Sequence, residues 1–395
     1  MRTWGEGGTT NAAYADARGG DPVTNTRWLT DSRGQGSALM TGLIRGCLDA
    51  GVTFSTGTAA VELLQDETGR VTGAKVRGRD GLRDIHAARG VLLATGGFEW
   101  DAELRARHFP GPLDQLGSPA TNTGDGQRMA ARAGAALDRM DQANIYPCLP
   151  TRYEGRPTGL PFTFQAEQHA ILVNRHGHRF VSENDFNVGE AIDAREPATG
   201  EPVHMPVWLV ADRRFLRQSL PFRWYARYQK GWVRRAPTLG ALAAAIGVPA
   251  ATLATTVARF NAFCDAGHDA DFGRGQSRWD DYKSHGAKAK LTRIEQGPFV
   301  AVPVNRSILG TKGGARTNEK GQVLRADGSV IAGLYAAGLA MANPFGTRAI
   351  GPGTTLGPNL TWGFICAETL LAQNAAVPSA RSAAAAPAPA TADPR

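Results

Sequence analysis

Residues 90–100, GVLLATGGFEW, set the apolar run Val91 to Ala94 against an abrupt break at Gly96 and Gly97. A strand with no polar alternation is covered on both faces, which makes it a central strand of a parallel or mixed sheet flanked by helices. The glycine pair allows a tight turn or a close backbone approach directly after it.

Before this strand, residues 37–51, SALMTGLIRGCLDAG, place Leu39, Leu43, Cys47 and Leu48 on one helical face and stop at Gly51. Residues 52–77 give a short strand and a hairpin turning at Glu67 to Gly69. The first 36 residues, rich in Gly, Asp, Arg and Thr without a period, read as irregular. After the strand, residues 121–137, TNTGDGQRMAARAGAAL, predict a helix carrying Met129, Ala133 and Leu137, with Asp125 as its N-cap.

From Tyr146 to Ile294 the texture changes to aromatics, prolines and short elements. Residues 169–186, HAILVNRHGHRFVSENDF, predict a hairpin turning at Arg175 to Gly177, and VWLVAD at 207–212 a further strand. Residues 248–267 predict a helix with Pro249 in its first turn and Leu253, Val257, Phe260 and Cys264 on one face. Strand and glycine texture then returns in PFVAVPV, LGTKGGARTN and SVIAGLYAAGLA. Residues 351–370, GPGTTLGPNLTWGFICAETL, run a glycine-rich loop into a helix, and an Ala/Pro-rich tail unable to build a core ends the chain.

Sheet texture, a different middle, and sheet texture again describe an inserted domain. The fold class is α/β, α+β overall, divided as 1–145 and 297–374 for the sheet domain, 146–296 for the insertion and 375–395 for a disordered tail.

The 395 residues suffice for such a two-domain arrangement. The 44 Lys and Arg are spread among 36 acids, so the net charge of +8 forms no basic run with interleaved aromatics; it suits an anionic ligand, not nucleic acid. Four scattered cysteines without a CxxC pair indicate reduced thiols and a cytoplasmic protein. The sequence shows no signal peptide and no apolar run of membrane-spanning length, so export and stable membrane insertion are not expected.

Six blocks, in order across roughly residues 30–372, carry a family resemblance: GVLLATGGFE, TGDGQRMAARAGA, VNRHGHRFVSE, TVARFNAFCDAGHDADFGRG, LGTKGGARTNEKGQVLRADGSVIAGLYAAG and GPGTTLGPNLTWGFICAE. The chain resembles the FAD-dependent flavoproteins that include soluble fumarate reductase and 3-ketosteroid Δ1-dehydrogenase. That resemblance implies a Rossmann-like FAD-binding domain interrupted by a capping substrate domain. It also implies hydride transfer between flavin N5 and a carbon–carbon bond next to a carbonyl or carboxylate, with a further electron acceptor or donor as partner.

By the same resemblance Ala94, Thr95, Gly96 and Gly97 lie on the cofactor's adenosine side, Asp125 sits near the cofactor, and Gly338 approaches the ribityl chain. The final loop and helix start, Gly351, Gly353, Thr354, Thr355 and Leu356, face the flavin ring. A helix N-terminus suits the anionic N1–C2=O edge of a reduced flavin.

The chain departs from the family at three places. No strand leads through GxGxxG into a helix, so the first βαβ unit and its pyrophosphate site are read as missing, with FAD affinity impaired. The tyrosine of the ketosteroid branch before the final loop is Ala349 here, and a second tyrosine position is Phe186 or Asn187. The fumarate reductase histidine position is Gly310, although Arg348 matches that branch's NRxxG arginine and Arg217 matches its proton-donating arginine if one residue is inserted.

Arg348 is thus read as a carboxylate clamp, an enolate stabiliser or a structural ion pair, and Glu183 as a proton relay or a salt bridge. His169, His176 and His178 lack the spacing of a metal site, so no metal is expected. The substrates implied are a steroid-like ketone or a small carboxylate; a truncated, catalytically degenerate relative is the reading outside enzymology.

Overall fold

The computed structural model describes residues 35–373 apart from 114, 154, 162–167, 219–222, 224–225, 228, 284–289 and 352. The opening segment with GEGG at Gly5, and the Ala/Pro-rich tail, lie outside the described residues.

Helix α1 spans Gln35–Asp49 and ends near Gly51, which takes a φ of +77°. An antiparallel meander follows, β1 Ala59–Gln65, β2 Val71–Gly78 and β3 Gly81–His86. The Asp66 carboxylate fixes the first turn by accepting from the backbone N–H of Thr68 at 2.9 Å and of Arg70 at 3.1 Å. Strand β4 is Val91–Leu93, and α2, Ala102–His108, starts where Asp101 Oδ1 accepts from Leu104 N at 2.8 Å.

Next come β5 Gln115–Leu116, α3 Asp125–Arg132, β6 Leu137–Asp138 and β7 Ala143–Ile145. Two sequence expectations are corrected here. The N-cap of α3 is Gly124 at φ +76°, not Asp125, and a Cβ there would meet Leu104 Cδ1 at 2.8 Å and Phe98 Cβ at 3.0 Å. Asp125 is instead the exposed first helical residue. Leu137 lies outside the helix, because the left-handed Gly134 (φ +91°) ends it and turns the chain into β6.

The middle region begins with the hairpin β8 Cys148–Tyr153 and β9 Arg156–Pro161. It continues through β10 Ala170–Val173, α4 Val188–Ile192, β11 Val207–Ala211, α5 Phe215–Gln218, β12 Arg234–Ala236, α6 Leu239–Ile246, α7 Ala250–Ala266, α8 Arg278–Lys283 and β13 Phe299–Val304. Its sheet is antiparallel in the order β10-β11-β13-β12.

Side chains alternate across that sheet. Leu172, Leu209, Val300 and Val302 pack on one face with Ile192 and Phe215, while Ile171, Val210 and Ala301 pack on the other with Leu242, Leu253, Val257 and Phe260. Apolar residues on both faces explain why these strands read as continuous apolar runs. Strand β13, which sequence texture assigns to the returning sheet domain after residue 296, is hydrogen-bonded into this middle sheet.

The chain then forms β14 Ser307–Thr311, β15 Gly314–Ala315, β16 Gln322–Leu324, β17 Val330–Ala336, a 3₁₀ turn at Gly338–Ala340 and helix α9 at Leu356–Ala372. Strand β14 joins β5 in parallel and β7 antiparallel, and β15 pairs with β6. Strand β17 pairs in parallel with β4 and antiparallel with β16. Among the described residues β4 is thus an edge strand, not the central one its apolar run predicts.

Helix α9 packs Trp362, Cys366 and Leu370 against Tyr335 and Ala337. Leu356, Leu360 and Phe364, spaced four apart, face outward and are exposed. No helix among the described residues is long and apolar enough to cross a membrane.

Candidate active site

The parallel pairing of β4 with β17 brings two turns together, because the Ala337 N–H donates to Leu93 O at 3.0 Å. Residues 94–97 leave β4 on one side and Gly338, at φ +68°, leaves β17 on the other. The buried amide of Gln127, on α3, joins them by donating to Gly96 O at 3.2 Å and to Leu339 O at 2.9 Å.

A second network fixes the far side of the 94–97 turn. The Glu99 carboxylate is fully buried and accepts from Asn122 Nδ2 at 2.7 Å and from the Thr311 hydroxyl at 3.0 Å. Thr311 Oγ1 in turn accepts from Phe98 N at 3.0 Å. At Gly97 a Cβ would stand 2.3 Å from Glu99 Oε2 and 2.4 Å from Thr311 Oγ1, so the turn admits no side chain there.

A separate cavity of about 410 Å³, lined by none of Ala94, Thr95, Gly96, Gly97, Asp125 or Gly338, lies against the final loop, within the size of small-molecule sites. Its wall comes from Ile145 at the end of β7 and Tyr146 after it, Phe186 and Asn187 before α4, Leu309 on β14, and Thr347, Ala349, Gly351 and residues 353–356 of the final loop. Gly351, Gly353, Thr354, Thr355 and Leu356, which the resemblance sets against the flavin ring, all line it.

Among the described residues no atom lies within 4 Å of a Cβ built on Gly351 or on Gly353, the latter at φ +92°. Thr354 closes the loop on itself, donating to Gly351 O at 2.7 Å, and Thr355 makes no side-chain capping bond to α9. In the first turn of α9 Gly357 N already donates to Gly353 O at 2.7 Å and Pro358 carries no N–H, so what the open side offers a flat ring is the glycine backbone and the positive end of the helix dipole.

Two positions singled out in the sequence are bonded to each other. Asn187 Nδ2 donates to Ala349 O at 3.0 Å, and Ala349 N donates to Asn187 Oδ1 at 2.7 Å. This amide pins the final loop to the inserted region. Asn187→Ala removes both bonds and is expected to cost about 1–3 kcal/mol of loop order. Limited proteolysis near the exposed Ile350 reads the effect, and cleavage as slow as in the unmutated chain would show that the amide does not hold the loop.

Neither sequence-selected arginine lines the cavity. Arg348 is exposed and pairs with Glu190 Oε2 at 3.0 Å, so its side chain is an ion pair on the rim. Arg217 is exposed on α5. Glu183, considered as a relay, is fully buried between Arg179 and Arg274, at 2.8 and 3.0 Å. No group of His, Cys, Asp or Glu among the described residues is arranged to hold a metal.

Two wall or near-wall residues escaped the sequence reading. Tyr146 is the phenol of the lining set, and only its place beside Ile145 at the end of β7 marks it. Lys312, inside the TKGG turn, is buried behind the loop, with Nζ 3.4 Å from Thr355 Oγ1. Burial pushes its ammonium below the usual lysine range.

The FAD binding domain profile matches residues 2–356 of the chain. The chain is 37% identical over 366 residues to a 3-oxosteroid 1-dehydrogenase of Mycobacterium tuberculosis, covering 85% of this chain and 62% of that protein. It is 35% identical over 367 residues to a 4-oxocyclohexanecarboxylate 2-dehydrogenase of Sinomonas cyclohexanicum, covering 89% and 63%. Among solved structures it resembles the 3-ketosteroid delta1-dehydrogenase from Sterolibacterium denitrificans in complex with 1,4-androstadiene-3,17-dione, with a TM-score of 0.77, 30% identity, and coverage of 88% of this chain and 66% of that one. The chain spans about three fifths of the length of the curated relatives it matches.

Proposed function

Because the chain belongs to the FAD binding domain family, we propose that it works as an FAD-dependent oxidoreductase on a CH–CH bond next to the carbonyl of a cyclic ketone. The observation that carries this reading is the cavity where an open glycine loop at the start of α9 faces Ile145, Tyr146, Phe186 and Leu309.

The residues fit the ring end of the cofactor. Open space over Gly351 and Gly353 accepts a flat ring, and the uncapped start of α9 suits its pyrimidine edge. On this reading Ala94, Thr95, Gly96 and Gly97, with Asp125 and Gly338, serve the rest of the cofactor, and residues 146–304 cap the substrate. Bound FAD supplies the hydride acceptor or donor.

The chain's own contribution is shape and a proton. Ile145, Pro161, Phe186 and Leu309 give the substrate an apolar face. The Tyr146 phenol takes or returns the proton on the carbon beside the carbonyl. Both curated relatives are named for dehydrogenating oxo-substituted compounds. The placement of Arg348 and Arg217 away from the wall favours a ketone over a small di- or tricarboxylate. An electron partner of unspecified kind and a reducing cytoplasmic setting complete the proposal, the latter supported by four cysteines outside any disulfide.

Catalytic degeneracy is a second reading, favoured by Ala349, and by Phe186 or Asn187, at the positions where the resemblance sets the ketosteroid branch's tyrosines, Asn187 and Ala349 being bonded to each other. Purified chain mixed with FAD and desalted is expected to keep the flavin absorption bands and to reduce a dye with a 3-ketosteroid but not with a dicarboxylate. Retained bands with no ketone turnover would favour degeneracy; a colourless protein would overturn the cofactor reading.

A further inference from the structure

A second cavity, of about 580 Å³, lies at the end of the middle sheet and shares no lining residue with the one described above. Val207 and Val304, which stand opposite each other across β11 and β13, both line it. Met205 and Trp232 add a large apolar surface, and Pro150, Pro202, Pro206 and Pro303 complete much of the wall. Proline fixes its own φ, so such a wall is rigid and the space is pre-formed. The hairpin of β8 and β9 contributes to both cavities, Pro150 to this one and Pro161 to the other.

Two charged side chains line this cavity, Arg175 and Glu201, and among the described residues neither makes an ion pair. Arg175 is nonetheless held in place: Nε donates to Val203 O and Nη2 to Pro202 O, both at 2.9 Å, and its backbone N–H donates to His204 O at 3.1 Å. A guanidinium fixed by two carbonyls is a pre-organised partner for a carboxylate. Glu201 is exposed and no hydrogen bond among the described residues holds its carboxylate, so it can turn to water where Arg175 stays. Burial, and after it the Arg175 charge, holds the neighbouring His204 imidazole below the ordinary histidine range, in keeping with an electropositive corner. Of the two amides in the wall, Asn305 spends both ends on Cys148, at 3.0 and 2.9 Å, and the Gln115 oxygen is buried. We propose that this cavity is a second binding site and that it takes a flat apolar molecule ending in a carboxylate, with the ring against Trp232 and Met205 and the carboxylate on Arg175. The proposal does not rest on the flavin reading.

The test titrates the purified chain with 2-naphthoate and with 2-naphthamide, which share a ring system and differ in charge, and reads binding by calorimetry. The unmutated chain is expected to bind 2-naphthoate about tenfold more tightly than 2-naphthamide. Arg175→Gln should remove that margin and leave 2-naphthamide unchanged, and Arg175→Lys, which keeps the charge without the fork, should retain part of it. Glu201→Gln should tighten 2-naphthoate alone, because a like charge is gone. Trp232→Leu should weaken both probes alike. Arg175 and Glu201 are exposed, so these variants should melt with the unmutated chain.

Equal binding of the two probes by the unmutated chain, or a carboxylate margin that survives Arg175→Gln, would overturn the proposal. Weaker binding of 2-naphthoate after Glu201→Gln would mean that the cavity selects a positive group, and the proposal fails. If Trp232→Leu has no effect on either probe, the ring sits elsewhere, the catalytic cavity included. No saturable binding of either probe would remove the second site altogether.

Discussion

Tyr146→Phe is expected to lower the turnover of a cyclic ketone about 10²–10⁴-fold, the usual worth of a positioned acid–base group. The substitution keeps the ring and its packing and removes the hydroxyl. Tyr146 is held by its backbone, whose N–H donates to Ser307 O at 3.0 Å, so the variant should fold and bind FAD as before. Flavin absorption and dye-linked turnover, measured on the same sample, separate the two effects. Unchanged turnover would remove Tyr146 from the chemistry and shift weight to the degenerate reading.

The sequence disclosed what depends on local periodicity. Helix α7 over Ala250–Ala266 and the turn between β1 and β2 lie where spacing and turn residues put them. So does the meeting of Gly351, Gly353 and Leu356 at one cavity, which a short stretch of chain guarantees. Contacts between distant residues left no such signal. Asn187 and Ala349 are 162 positions apart, and neither the amide nor the alanine announces the other.

Strand β13 reads as sheet-domain texture because both faces of the middle sheet are apolar, and a two-sided apolar strand carries no mark of its owner. The same ambiguity touches β4, an edge strand among the described residues, whose apolar run does not distinguish a central strand from an edge. Lys312 was invisible for a related reason: lysine in a glycine turn is ordinarily solvated, and only burial makes it unusual.

The largest stability effect belongs to a charge the sequence left between two roles. Glu183→Gln should destabilise the chain by about 3–5 kcal/mol, because it removes one member of a buried ion network. Glu183 accepts from Arg179 Nη2 at 2.8 Å, from Arg274 Nη1 at 3.0 Å and from Leu172 N at 3.0 Å. Arg179 keeps Asp269, at 2.8 Å, whereas the Arg274 guanidinium loses the carboxylate it is paired with. Both guanidiniums lie within 6 Å of the Phe260 ring, at 5.0 and 5.8 Å, so the damage reaches the helical side of the middle sheet.

Burial alone would raise the Glu183 carboxyl, but the two guanidiniums outweigh it and hold it below the ordinary glutamate range. A carboxyl depressed in the folded state contributes stability that is present above its unfolded value of 4.5 and is lost as pH falls through the folded one. The gap in melting temperature between the unmutated chain and Glu183→Gln should therefore be widest near neutral pH and shrink in acid. At a temperature where both are folded, the variant should turn over ketone at the unmutated rate. A rate loss with no change in melting temperature would make Glu183 a proton relay after all. Its position three residues before Phe186 and four before Asn187 means that the ion network holds the segment forming one wall of the cavity, and through the Asn187 amide, the loop forming the other.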